Sequence, residues 1–233
     1  MRVLAFDTSS QRASAAVLDG DSLLARREAD VARHGKALEP LLRAVLEAAS
    51  LAPSDLDLVA VGLGPGSFTG TRIGVAAAKG LAFGCEVPLV GVGSLEVLAA
   101  GVGDAGLCAP LVDAGRGRVY GAVYELGPGA PVLRLGPFDL PPADAVSHAR
   151  EAAGDAPLRI VGNGIARHEA IKAVAKASDG ELTPDAEVLG RLALVRHAAG
   201  AIAPPGLEPV YVRSSDAKLP ARALETQAST KLS

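Results

Sequence analysis

Leu58-Val59-Ala60-Val61-Gly62-Leu63-Gly64-Pro65-Gly66-Ser67-Phe68-Thr69-Gly70, followed by small residues as far as Phe83, is the stretch that decides the architecture. An apolar run, a glycine turn and a small-residue segment read as strand, tight reversal and helix. Gly64 and Gly66 admit backbone angles closed to other residues, and Pro65 fixes one angle between them, so the chain turns sharply at the strand end. Ser67 or Thr69 then caps the helix. Within it Gly70, Gly74, Ala77 and Ala78 share one nearly bare face. Gly70, Gly74 and Gly80 each cost about 1 kcal/mol against alanine in a helix interior, so roughly 3 kcal/mol must be offset by close approach of another backbone. That backbone belongs either to the sheet of this chain or to a partner protein. Arg72 stands in the first helical turn, the unfavourable end of the helix dipole for a cation. Either it meets an acidic or phosphate group, or it points into water.

The surrounding sequence supplies the rest of a sheet. Val3 to Phe6, closed by Asp7-Thr8-Ser9-Ser10, Ala13 to Leu18, and Ser22 to Asp30 after the Asp19-Gly20 turn read as an antiparallel meander. After Arg33-His34-Gly35, Leu38, Leu41, Leu42, Val45, Leu46 and Ala49 recur at helical spacing, with Pro40 either opening or bending that helix. Beyond the central helix come a strand at Pro88 to Val92, a helix at Ser94 to Ala100 and a glycine-rich linker from Gly101 to Gly106. The plan then repeats: Leu107 to Val112 is an apolar run closed by Asp113, with a polar turn and a second apolar run from Arg118 to Leu126. This is the pattern of an internal duplication that sets two related domains around one cleft. The expected division is residues 1–104, 105–213 and a polar tail over 214–233. Within the second part strands are expected at Val132 to Phe138 and Leu158 to Val161, with helices at Ala143 to Ala152, Gly164 to Ala177 and Ala186 to Ala201. The last of these is expected to pack back on the first domain.

The 233 residues suffice for a sizeable core, and with 49% hydrophobic but only 3% aromatic residues that core must be built from Ala, Val and Leu. A net charge of -3 and the scarcity of rings for base stacking argue against a nucleic-acid binder acting alone. Cys85 and Cys108 stand apart from each other and from histidine, as reduced thiols of a cytoplasmic protein would. No apolar run approaches the length a bilayer needs, so no membrane partner is expected.

Asp7 and Asp113 each end a strand at a tight turn. Such a carboxylate either holds a hydrated magnesium ion beside nucleotide phosphates or bonds its own turn. The glycine turn is neither a Walker A loop nor a dinucleotide fingerprint on a first parallel strand. The histidines, His34, His148, His168 and His197, are scattered away from metal-ligand spacing, and Gly-x-Ser-x-Gly is absent around Ser67. No residue stands out as catalytic.

Asp7-Thr8-Ser9, Arg33-His34, the block Gly64-Pro65-Gly66-Ser67-Phe68-Thr69-Gly70-Thr71-Arg72-Ile73-Gly74, Asp113-Ala114-Gly115-Arg116 with Val119-Tyr120, and Pro209-Val210-Tyr211-Val212-Arg213 together resemble the bacterial TsaB (YeaZ-like) proteins. The resemblance implies an α/β, two-domain fold of the actin, Hsp70 and sugar-kinase (ribonuclease H-like) kind, with duplicated mixed sheets flanked by helices. It implies a non-catalytic subunit of the assembly that makes threonylcarbamoyladenosine beside the tRNA anticodon. The partners would be TsaD, the paralogous transferase, and the ATPase TsaE, with a homodimer when TsaD is absent and tRNA met only through the complex. No intrinsic cofactor is implied, ATP and magnesium being used by the partners. The metal-binding His-x-x-x-His of TsaD would fall near Val92 to Glu96, a segment without histidine here. The implied partner interface comprises His34, Leu38, Leu41, Leu42, Val45, Gly70, Arg72, Ile73, Gly74, Ala77 and Ala78, and the implied vestigial nucleotide site Asp7, Thr8, Ser9 and Asp113. A self-sufficient ATP-dependent phosphotransferase of the sugar-kinase type is the alternative, and a peptidase a remote third.

Overall fold

The computed structural model describes residues 1–30, 37–176, 182–204 and 206–212. His34 and the expected tail over 214–233 lie outside the described residues, as does Ala177. The first half contains β1 (Arg2–Asp7), β2 (Arg12–Asp19), β3 (Ser22–Asp30), α1 (Leu38–Ala48), β4 (Leu58–Gly62), α2 (Phe68–Cys85), β5 (Leu89–Val92) and α3 (Ser94–Ala100). Its sheet runs β3-β2-β1-β4-β5, with the meander antiparallel and β4 and β5 added parallel to β1. The second half contains β6 (Gly106–Gly115), β7 (Arg118–Leu126), β8 (Val132–Leu140), α4 (Pro142–Ala153), β9 (Leu158–Val161), α5 (Gly164–Arg167), α6 (Glu169–Lys172) and α7 (Ala186–Ala198). Its sheet runs β8-β7-β6-β9 with the same pairing senses, so it repeats the first four strands of the other.

The strand at the centre of the first sheet is buried on both faces, which is why its sequence is apolar without alternation. Leu4 and Phe6 face one way and pack with Leu41, Leu42, Val45, Val75 and Ala78 of α1 and α2. Val3 and Ala5 face the other way and meet Leu189, Leu192 and Ala193 of α7, which thus returns to the first sheet. Between the halves, α3 gives Val97 to that cluster and Leu95, Leu98 and Ala99 to the second sheet, against Cys108, Ala122 and Val161.

Two local expectations change. The helix expected from Gly164 breaks into two single turns because His168 is extended, with φ -135° and ψ 116°. Pro40 lies in the first turn of α1, where no intrahelical N–H bond is lost, so it opens the helix rather than bending it.

The larger correction concerns the bare face of α2. It is filled from within: a Cβ at Gly70 would lie 2.2 Å from the Thr8 carbonyl oxygen, and one at Gly74 2.2 Å from Thr8 Oγ1. Thr8 Oγ1 donates to the Gly70 carbonyl at 2.8 Å, and Ser67 N to the Ser9 carbonyl at 2.6 Å. Ala78 is wholly buried against the sheet. Gly70, Gly74 and Ala78 are therefore packed within this chain, against Thr8 and the sheet. Leu41 and Val45 of α1 likewise point into the core. Gly80 differs, since nothing lies within 4 Å of where its Cβ would be.

Opposite responses to the same substitution follow. Gly70→Ala, which presses on backbone, should lower the unfolding free energy in urea by about 1–3 kcal/mol. Gly80→Ala should raise it by up to about 1 kcal/mol through helix propensity alone.

Candidate functional site: the cleft and the outer helix face

The chain ends β1 at Asp7, whose side chain is sealed inside the fold. Its Oδ1 accepts from the Ser9 N–H at 2.7 Å and the Ser9 hydroxyl at 2.6 Å, and its Oδ2 accepts from the Ser94 hydroxyl at 2.6 Å. Ser94 Oγ in turn accepts from Gly64 N at 3.0 Å, and Ser94 N donates to the Gly64 carbonyl. Asp7 thus staples the glycine turn to α3. Burial pushes its carboxyl above the ordinary carboxylate range, although the Ser9 and Ser94 hydrogen bonds pull it back. Of the four residues expected around a nucleotide, Asp7 and Thr8 are committed to internal contacts, and Ser9, although bonded to Asp7, lines an open cleft with Asp113.

That cleft, about 980 Å³, lies between the β1–β2 turn (Ser9, Ser10, Gln11), the glycine turn with the start of α2, the β6–β7 turn (Asp113 to Arg116) and the segment Pro209 to Val212. Three successive left-handed residues, Gly115, Arg116 and Gly117, carry the second hairpin round its turn. Asp113 Oδ1 lies 3.0 Å from His168 Nε2 and accepts from Gly115 N at 3.1 Å, while Asp113 N donates to Asn163 Oδ1. Sequence reading gave His168 no role. No spacing signal marks it, because only the parallel pairing of β6 with β9 brings it to Asp113.

Arg72 is exposed to solvent and is partnered by rings in place of an acidic or phosphate group. Its guanidinium lies 3.5 Å from the centre of the Phe68 ring and 5.3 Å from that of Tyr211, and its Nε donates to the Tyr211 hydroxyl at 2.9 Å. Exposed cation–π contacts of this kind are worth about 0.5–1 kcal/mol. The Tyr211 segment is held by Val210 N donating to the Leu63 carbonyl at 2.8 Å. Arg72 therefore lines the cleft.

In the segment where the resemblance places the metal ligands of TsaD, Ser94 holds Asp7 and Glu96 meets Arg196, 2.5 Å from its Nη2. Burial raises the Glu96 carboxyl and the adjacent Arg196 opposes it.

On the opposite side of α2, Leu38, Leu42 and Leu46 of α1 face Ile73, Ala77 and Leu81 across a groove of about 540 Å³. Beside it run Ala76, Gly80 and Gly84, all exposed, with Phe83 at 88% exposure. Of the expected interface residues, Leu38, Leu42, Ile73 and Ala77 thus line one largely apolar groove, with Glu39, Arg43 and Glu47 of α1 also in its lining.

The family model described as TsaD, tRNA N6-adenosine threonylcarbamoyltransferase, matches residues 28–130. The tRNA threonylcarbamoyladenosine biosynthesis protein TsaB of Bacillus subtilis is 40% identical over 127 residues, 54% of this chain and 56% of that protein. The chain spans about half the length of the curated relatives it matches first. Among solved structures, YeaZ from Pseudomonas aeruginosa superposes with a TM-score of 0.76 at 30% identity, over 90% of this chain and 99% of that one. A dehydratase activator from Clostridium difficile, at 12% identity, a TM-score of 0.52, and 86% and 97% coverage, shares the fold alone. The fold is thus the α/β actin-like ATPase fold with two mixed sheets.

Asp7 makes stability depend on pH in a definite sense. Its folded-state pKa is raised above the ordinary 3.8, so its contribution is full below that value and is lost as pH rises through the folded pKa. Urea titrations from about pH 4 to pH 8 should show wild type losing stability relative to Asp7→Asn as pH rises. A pH-independent difference would remove the buried-carboxylate account.

Proposed function

The chain belongs to the YeaZ (TsaB-like) family, and from that premise we propose that it is a non-catalytic subunit that docks on TsaD in the assembly forming threonylcarbamoyladenosine on tRNA. The observation that carries the proposal is the outer surface of α1 and α2: an apolar groove, an adjoining glycine stripe open to space and a Phe83 ring almost fully exposed. Exposed apolar area of this kind, on elements otherwise fully packed, marks a protein contact. The small residues let a partner helix approach closely, while Phe83 supplies a ring to bury.

TsaD is the occupant that the match of residues 28–130 to the TsaD family favours, because a chain sharing that architecture can present a related helix pair to a paralogue. A second copy of this chain is the occupant when TsaD is absent. TsaE joins the assembly as the ATPase, and ATP and magnesium act there and not on an intrinsic cofactor of this chain. Such work belongs to the cytoplasm, and among the described residues no helix is long and apolar enough to cross a membrane.

The cleft is what supports the phosphotransferase reading. Against it, Asp7, the carboxylate that would hold magnesium beside phosphates, already accepts three internal hydrogen bonds. Asp113 is engaged by His168 and its own turn.

Gly80→Arg places a charge on the open face without touching the core. Co-purification with tagged TsaD should fall at least about tenfold, with the monomer's thermal melt retained. Modification of tRNA by TsaD and TsaE should fall in parallel. Undiminished co-purification by this variant and by Ala77→Glu would overturn the docking surface.

A further inference from the structure

The cleft between the two hairpins has more cationic than acidic side chains among its described lining residues. Among the described residues nine arginines, from Arg2 to Arg196, lie within 4.0 Å of a carboxylate. Of the three arginines that line this cleft, two from opposite halves are not among them: Arg72 donates to the Tyr211 hydroxyl and Arg167 to Gln11 Oε1 at 3.3 Å. Arg116 lines the same space. The one carboxylate among the described lining residues, Asp113, is bonded to His168. Positive charge has collected here in a chain whose net charge is -3, and among the described residues no carboxylate pairs with Arg72 or Arg167.

Aromatic rings have collected with it. Phe68, Tyr120 and Tyr211, three of the chain's seven Phe and Tyr residues, line the cleft. Phe68 is 61% exposed and Tyr211 48%, so both present ring surface to an incoming ligand. The composition gave little material for stacking; the fold spends almost half of it in one place.

We propose that this cleft binds single-stranded RNA, with Arg72 and Arg167 meeting phosphodiesters and Phe68 and Tyr211 stacking on bases. Arginines that track a backbone, interleaved with rings, are what single strands require. A free nucleotide carrying magnesium fits less well, because Asp7 is sealed in the fold with its oxygens already accepting hydrogen bonds. An acidic peptide would use the arginines but leave the rings without purpose. This goes beyond the docking proposal and departs from the expectation that tRNA is met only through the complex. It requires neither TsaD nor the groove.

The test is fluorescence anisotropy of a labelled single-stranded RNA of about eight nucleotides, titrated with the full-length chain between about 50 and 200 mM salt. Saturable binding is expected. Arg167→Gln should weaken it and lower the slope of log affinity against log salt by about 0.7, and Phe68→Ala should weaken it about 5- to 100-fold. Arg191→Gln, on α7 and paired with Glu187, should change neither. Arg167→Gln leaves the Phe68–Arg72–Tyr211 stack intact, so its effect cannot be assigned to loss of that packing. No binding, binding equal in every variant, RNA displaced by Mg-ATP at micromolar concentration, or an acidic peptide bound as tightly would each overturn the inference. Failure here with TsaD co-purification intact would leave the docking proposal standing.

Discussion

The approach of Thr8 to the glycine face of α2 is the constraint on which the rest of the structure depends. The end of β1 and the first two turns of α2 touch backbone to backbone, and only residues without a Cβ at 70 and 74 leave room for the Thr8 carbonyl and hydroxyl. From that contact the glycine turn is fixed beside Ser9, and Asp7 then joins the turn to α3 through Ser94. Burying a carboxylate is unfavourable unless its hydrogen-bonding capacity is met, and here the Ser9 and Ser94 hydroxyls and one backbone N–H meet it. The same contact sets the axis of α2, and thereby which of its residues face outward.

A helix fixed in this way has two faces of small residues with different work. Gly70, Gly74 and Ala78 are small because the chain itself lies against them. Ala76, Gly80 and Gly84 are small and exposed, beside a groove whose other wall is α1. The helix-propensity penalty of Gly70 and Gly74 is offset inside the monomer. That of Gly80 is not, since its Cβ position is empty, and a partner seated there would supply the compensation.

Much of the architecture was legible in the sequence, because both sheets begin with the same pattern: apolar run, aspartate, polar turn, apolar run. The strand order β8-β7-β6-β9 mirroring β3-β2-β1-β4 is that pattern in three dimensions. The direction in which α2 turns its bare face was not legible. Gly70, Gly74 and Gly80 look alike in sequence, and helical periodicity relates residues to each other without saying which side meets the sheet. The partners of Arg72 were not legible for a related reason: Phe68 and Tyr211 lie 4 and 139 positions away, and only the return of the chain after α7 brings the tyrosine to it. His168 was invisible because the helix expected around it breaks at that residue, turning the ring to Asp113.

Whether the outer face of α1 and α2 is the surface through which the protein acts is tested most directly by hydrogen–deuterium exchange of the full-length chain with and without TsaD. Slowed exchange over residues 38–48 and 73–84 on addition of TsaD, with β1 and β4 unchanged, is the predicted result. Unaltered exchange in both helices while the complex demonstrably forms would contradict it.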